Sequence, residues 1–213
     1  MAVGAQGETS VKFATFLPEL AEGQAVATDL INGTNNQKFL TGDGSTSFKV
    51  SLNETLTSAG YDNSLGVYEV DATGAIMDAQ LLVTGAKSMP SATIDIDQVE
   101  AGHQLGFFLV QDGASWADGL AETDTFSFIN TSDGSVANVE DGANVQLAVN
   151  GVDAELTVFH SFSETLNSDG LHHVLSGVNS DRASISLGFE DLLNVGDVDF
   201  QDLVFSVETF EML

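Results

Sequence analysis

Between Glu190 and Asp202 the chain carries five carboxylates within thirteen residues, in the run Gly188-Phe189-Glu190-Asp191-Leu192-Leu193-Asn194-Val195-Gly196-Asp197-Val198-Asp199-Phe200-Gln201-Asp202-Leu203-Val204-Phe205. Asp197, Asp199 and Asp202 stand at i, i+2 and i+5, a spacing that lets one loop wrap a hard cation and complete its shell with backbone carbonyls and water. Calcium takes about six to eight oxygens at roughly 2.3–2.6 Å, whereas magnesium holds to octahedral geometry and keeps its waters, so calcium is the better match. Glu190 and Asp191 close the apolar stretch before the loop, and a hairpin-like return would set them opposite Asp197 to Asp202. Phe189, Leu192, Phe200 and Phe205 are expected to anchor both sides of the loop in the core and to hold the ligands in place beforehand. The EF-hand pattern is not met, because the sixth position counted from Asp197 is Asp202 where that loop needs Gly. The plain alternative is a solvated acidic turn. Packing five carboxylates between large apolar side chains is costly without a counter-ion, which favours the metal.

The whole chain poses the same problem at larger scale. Of its 213 residues only five are Lys or Arg (Lys12, Lys38, Lys49, Lys87, Arg182) against 32 Asp and Glu, a formal net charge of -27. Two carboxylates ~4 Å apart at an effective dielectric near 20 repel by roughly 4 kcal/mol, and five scattered cations cannot offset a cluster of them. The excess as a whole reads as a solvated acidic surface, the cluster as a divalent-cation site. Nucleic acid and insertion into an anionic membrane are excluded as partners by the same charge. There is no cysteine, so disulfides, thiolate metal sites and a Cys nucleophile are ruled out. Met1 to Leu20 shows no basic stretch followed by an apolar run of the signal-peptide kind, and no segment approaches ~18 consecutive apolar residues.

The elements that must position the loop read as strands. Apolar residues alternate with a period of two at Phe48, Val50 and Leu52, at Ile94 and Ile96, at Val145, Leu147 and Val149, and at Ile185, Leu187 and Phe189. Continuous apolar runs at Leu105 to Val110 and Leu203 to Val207 suit strands buried on both faces or at a sheet centre. Asp-Gly steps at Asp43, Asp112, Asp118, Asp133, Asp141 and Asp169, and Asn-Gly steps at Asn32 and Asn150, supply turn chemistry between them. The pattern predicts roughly ten to thirteen strands in an all-β, antiparallel β-sandwich, jelly-roll-like, with little helix. The best helical segments, Leu17 to Glu22 and Glu54 to Ala59, are too short to be stable alone. No linker rich in Pro or Ser divides the chain. Residues 1–45 read as an N-terminal extension or edge strand and 46–213 as the calcium-binding domain.

Other groups could bear ligands. Asn167 and Asp169, and likewise Glu54 and Asn63, are candidates to complete the main site or hold a second ion, with ordinary Asx turn chemistry as the equal alternative. His172 and His173, with His160 and Glu164 upstream, suggest zinc, but adjacent residues of an extended chain point to opposite faces and cannot share an ion. A Ser-His-Asp triad has no nucleophile-elbow sequence behind it. Trp116, in Asp112-Gly113-Ala114-Ser115-Trp116-Ala117-Asp118-Gly119, could stack on a sugar ring if its loop is exposed; a lone Trp more commonly folds back over the sandwich edge.

The stretch Gly188 to Val207, with Phe-Glu-Asp-Leu followed by Gly-Asp-x-Asp-Phe-x-Asp and a closing apolar strand, resembles the signature of the domain-of-unknown-function 4114 family. Two further stretches are similar to it, Tyr61-Asp62-Asn63-Ser64-Leu65-Gly66-Val67-Tyr68 and Leu166-Asn167-Ser168-Asp169-Gly170-Leu171-His172-His173-Val174, and Leu105-Gly106-Phe107-Phe108-Leu109 fits its central strand. Together these run from about Leu52 to Val207. The resemblance implies an all-β, calcium-associated module of large secreted and surface bacterial proteins, repeats-in-toxin adhesins among them, with Glu190, Asp191, Asp197, Asp199 and Asp202 in the ligand-bearing positions. Gln201 departs from the Asn usual in the family but keeps an amide there. The expected function is a calcium-stabilised structural or adhesive module, secreted or at the cell surface and not an enzyme. The alternatives are a calcium-dependent carbohydrate-binding domain, with a surface glycan as partner, and a surface-fibre subunit whose partner is another copy of itself. Glu208 to Leu213, acidic then apolar, is compatible with an uncleaved secretion signal.

Overall fold

A computed structural model describes residues 20–31, 40–116, 119–179 and 184–210. Lys12, Pro18, Asn32-Gly33, Lys38, Asp118, Arg182 and the last three residues of the chain lie outside them. The described residues form twelve strands: β1 (Ser47–Leu52), β2 (Ser64–Val70), β3 (Ile76–Val83), β4 (Thr93–Ile96), β5 (Gln104–Val110), β6 (Phe126–Asn130), β7 (Val145–Val149), β8 (Val152–Asp153), β9 (Val158–His160), β10 (Val174–Val178), β11 (Ser184–Phe189) and β12 (Leu203–Phe210). All strand pairings are antiparallel. A five-stranded sheet runs β10-β11-β12-β1-β4, a four-stranded sheet β3-β2-β5-β9, and a three-stranded sheet β6-β7-β8. The first and last strands are neighbours, and the chain passes repeatedly between the two larger sheets, as the jelly-roll reading expects.

The expected sandwich is the five-stranded sheet on the four-stranded one. Phe48, Val50, Leu187, Phe189, Phe205 and Val207 on one side meet Leu65, Val67, Leu105, Phe107, Leu109 and Phe159 on the other. Phe107 and Phe205 cross edge to face with centroids 5.0 Å apart. A second core lies on the far face of the four-stranded sheet, where Tyr68, Phe108 and Val110 pack on Phe128, Val145, Leu147 and Val149 of the three-stranded one. The four-stranded sheet is therefore a middle layer with both faces covered. That is why β5 reads as an unbroken apolar run while β1, β7 and β11 alternate. In this layer Gly66 stands opposite Phe108 and Gly106 opposite Tyr68, and a Cβ on either glycine would collide with the facing ring. Each aromatic ring lies across its glycine and closes the sheet surface.

The turn signals resolve individually. Asn150-Gly151 is a two-residue hairpin turn between the paired residues Val149 and Val152, with φ of 53° and 78°. Asp112-Gly113 instead opens a 3-10 turn at Gly113–Ser115. Glu54 to Ala59 is not helical. The Asn53 side chain takes the Thr55 amide at 3.2 Å and hydroxyl at 2.8 Å, which offers the backbone a local alternative to a helix too short to nucleate. Of Leu17 to Glu22 only residues 20–22 are described, and they too are not helical.

Residues 20–31 lie on the outer face of the five-stranded sheet. Leu20, Val26, Leu30 and Ile31 pack with Leu175, Phe200 and Val204 in a small third cluster. Leu40 is buried in the main core, and Thr41 bridges to Gln104. No helix among the described residues is long and apolar enough to cross a membrane.

Candidate metal centre

The acidic segment is the connection of a hairpin. The chain leaves β11 at Phe189 and re-enters β12 at Leu203, and these two residues are partners in the ladder. The Asp202 amide extends the pairing to the Phe189 carbonyl at 3.1 Å. Phe189, Phe200 and Phe205 are fully buried, as the anchoring role requires, but Leu192 is 37% exposed and Leu193 47%. The loop turns both leucines outward, so Leu192 is not an anchor. The cause is backbone winding: Asn194, Val195, Val198 and Phe200 all have φ between 54° and 63°. For non-glycine residues this left-handed region costs roughly 1–2 kcal/mol each, and β-branched valines rarely enter it. Gly196, with φ of 37°, sits where a Cβ would come within 2.7 Å of Glu190 Oε1 and of the Leu192 side chain. The tightly wound loop thus brings its backbone up against a buried carboxylate.

The winding gathers Glu190, Asp199 and Asp202. Their oxygens lie within 4.8 Å of one another, and all three residues are buried. A second group, Glu22, Asp197 and Asp199, is equally close; Glu22 and Asp197 are exposed and Asp199 is shared. Asp191 is buried but belongs to neither group. Asn63 Nδ2 donates to its Oδ2 at 2.5 Å, and Gln111 Nε2 donates to its carbonyl at 2.6 Å. The donors to the central three are amides: Leu192 and Asp199 to Glu190 at 3.3 Å, Gly23 and Gln201 to Asp199 at 2.8 and 3.2 Å, and Asp191 to Asp202 at 2.8 Å. Among the described residues no Lys, Arg or His side chain is bonded to any of the three.

The electrostatic result is a set of reluctant acids. Burial, then the charges of Asp197, Asp199 and Asp191, pushes the Glu190 carboxyl up to about 7. Burial, then the charges of Asp191, Glu190 and Asp199, pushes Asp202 up to about 8. Asp191 and Asp199 are also raised, chiefly by burial. The amides lower these values but do not outweigh desolvation and mutual repulsion.

Behind the loop stands a supporting network. Asp169 Oδ2 accepts from the Asn194 amide at 2.7 Å and meets His173 Nε2 at 2.9 Å, while His173 Nδ1 meets the Glu190 carbonyl oxygen at 3.0 Å. Burial pushes Asp169 up, but the His173 ring and the Asn194 and Leu171 amides together hold it below the ordinary range. Asn167 spends its amide on the chain, accepting from the His160 amide and donating to the Leu171 carbonyl, both at 2.7 Å. Asn63 Oδ1 accepts the Asp112 amide at 3.1 Å. Glu54 accepts the Ser91 hydroxyl at 2.5 Å and shares with Asp202, Tyr61 and Lys87 the wall of a cavity of about 170 Å³. Neither Asp169 nor Glu54 is in either carboxylate group.

The histidines do not converge. His160 is buried against Tyr68 and Phe128, and burial pushes its imidazole down to about 3. His172 faces out, 3.5 Å from Glu164, while His173 is buried, and both precede β10 rather than lie in it. Trp116 is half-buried and packs on the second core, so its face is partly taken up by the protein itself. Glu22 escaped the sequence reading. As one acidic residue among 32, in a segment with no loop signature, it offered no signal.

Residues 99–209 match the model of the family described as Domain of unknown function (DUF4114). The chain belongs to that family. The DUF4114 match contains Asn167, Asp169 and the whole loop from Glu190 to Asp202, but not Glu22, Glu54 or the stretch Tyr61 to Tyr68. Strands β1 and β2, which also precede it, pair with the DUF4114 strands β12 and β5. No curated protein and no solved structure matches the chain.

Proposed function

We propose that the chain is a calcium-stabilised structural module of a secreted or cell-surface protein, adhesive in role and not catalytic. The observation that carries this reading is the convergence of Glu190, Asp199 and Asp202, three buried carboxylates with oxygens within 4.8 Å of one another and only amide donors to offset them. An all-oxygen, multiply charged donor set suits a hard cation of calcium's size. Calcium bound there would supply two positive charges where the carboxylates repel and draw on the oxygen ligands they offer. Glu190, Asp199 and Asp202 would hold the ion. Asp197 and Glu22 border the solvent side, and Asp191 fixes the loop through Asn63.

The ligands sit between the partnered ends of β11 and β12, so an ion there would staple two central strands of the largest sheet. Extracellular calcium modules work with dissociation constants on the order of 10⁻⁴–10⁻³ M. A chain exported into millimolar calcium would then gain stability on arrival. In millimolar calcium, about 1–10 times such constants, the gain is roughly 0.4–1.4 kcal/mol, and in a melt at free calcium ~100 times the dissociation constant it reaches about 2.7 kcal/mol. In a domain of this size that raises the melting temperature by about 5–10 °C. Thermal melts in calcium and in chelator, with calorimetric titration of calcium, test the reading; coincident melts with no titration heat would overturn it.

A further inference from the structure

The metal loop is also the seat of a second contact, and that contact comes from the far end of the chain. Gly23 donates its amide to Asp199 Oδ2 at 2.8 Å, and Val26 donates its amide to the Val198 carbonyl at 2.7 Å. Gln201 Nε2 and Ser58 Oγ both donate to Glu22 Oε2, at 3.1 and 2.9 Å. Beneath these ties Leu20, Val26, Leu30 and Ile31 pack on Val198, Phe200, Val204 and Leu175. The segment from Leu20 to Ile31 is thus fastened largely to loop residues 198–201, and its one described carboxylate at the contact, Glu22, is brought within 4.8 Å of Asp197 and Asp199. Like charges that close repel, and among the described residues no cationic side chain stands between them.

Resting on the calcium reading of the centre, we propose that residues 20–31 form a strap whose docking is coupled to calcium. Asp199 belongs to both carboxylate groups and also accepts the Gly23 amide. When an ion held by Glu190, Asp199 and Asp202 offsets the charge of Asp199, the carboxylate shared with the second group, the repulsion that drives Glu22 off the loop falls, and the apolar face of the strap holds. Without the ion, the polar ties of Glu22 work against its own charge, and the strap loosens while the sandwich beneath it stays folded.

Hydrogen exchange on the intact chain, in calcium and in chelator, reads this directly. Amides of residues 20–31 are expected to exchange ~10-fold or more slowly in calcium, beyond any change in β6, which lies in the sheet farthest from the loop. Glu22 is exposed, so Glu22→Gln leaves the cores intact. It keeps an amide oxygen for Ser58 and Gln201 and removes the charge. Its strap should be protected nearly as well in chelator as in calcium, with calcium titration heat retained. Calcium binding by calorimetry with strap exchange unchanged relative to β6 would overturn the coupling and leave the calcium reading standing. No calcium binding at all would overturn that reading, and the coupling with it.

Discussion

Two of the hairpins among the described residues reverse the chain between antiparallel neighbours in contrasting ways. Between β7 and β8 the reversal takes two residues, Asn150 and Gly151. Between β11 and β12 it takes residues 190–202. Both use the left-handed backbone region: the short turn has one non-glycine residue there, Asn150, and the long one has Asn194, Val195, Val198 and Phe200. Asparagine tolerates this conformation, whereas valine and phenylalanine do not adopt it readily. The long connection is therefore not a longer solution to the same geometric problem. Its strained backbone is held by burial of Phe200, and the outcome is that Glu190, Asp199 and Asp202 meet out of water. Strain that does nothing for strand reversal is the mark of a site.

The comparison breaks first at its anchor. Phe200 is fully buried, and Phe200→Ala should cost about 3–5 kcal/mol in equilibrium unfolding, with calcium or without it. A loss below ~1 kcal/mol would mean that the loop is not pinned by this residue. Next in size is the shared carboxylate. Asp199→Asn should abolish the calcium-dependent increment of about 2.7 kcal/mol expected at ~100 times the dissociation constant. Its stability in chelator should stay level or rise, because one repelling charge is gone. A variant that still gains stability from calcium as the parent does would remove Asp199 from the ligand set.

The proton should compete with calcium, and the sign can be worked out. Glu190 and Asp202 lie at about 7 and about 8 in the folded chain, above their ordinary values of 4.5 and 3.8. Between about pH 4 and 8 the unfolded chain has given up these protons and the folded chain has not, so without calcium stability falls as pH rises and levels off above about 8. In calcium the ligands must be ionised, so the gain from the ion shrinks as pH falls below about 7. Melts across this range should therefore fall with rising pH in chelator and stay nearly level, as far as these two groups are concerned, in saturating calcium. The overall charge of -27 adds to the metal-free slope, and Asp202→Asn separates the two by flattening only the local part. The exposed turn carboxylates behave oppositely. Hydrogen bonds from Thr46 and Ser45 hold Asp43 well below the usual range, so acid should not stabilise that turn.

Much of the fold was legible from residue types and spacing because strands have a period of two. Phe48, Val50 and Leu52, or Ile185, Leu187 and Phe189, could face only one core. The Asp spacing in the loop pointed to Asp197, Asp199 and Asp202 around one ion, whereas Asp199 and Asp202 meet Glu190, and Asp197 groups with Glu22 and Asp199 instead. The third sheet was not legible, since Val145, Leu147 and Val149 alternate identically whichever layer they cover. Leu192 was misplaced because apolar type suggests burial, while the left-handed run that turns it outward is a property of the folded backbone. Glu22 was invisible because its position depends on Leu20 and Val26 finding Phe200 and Val204 across the whole length of the chain. The pairing of Gly66 with Phe108 and of Gly106 with Tyr68 needs the register, which no local pattern carries.

The smallest effect belongs to the short hairpin and supplies the control. Gly151 has φ of 78° and open space where a Cβ would stand, so Gly151→Ala meets no neighbour and costs only the left-handed conformation, about 1–2 kcal/mol. That cost should be the same in calcium and in chelator, because the turn joins β7 to β8 in the sheet that does not touch the metal loop. Unfolding curves of this variant in both conditions should shift together. If calcium instead relieved the defect at Gly151, the stabilisation would be a general effect of screening an acidic surface. The contrast between the two hairpins would then lose its meaning. Parallel shifts for Gly151→Ala, beside a lost increment for Asp199→Asn, would locate the calcium response in the wound loop.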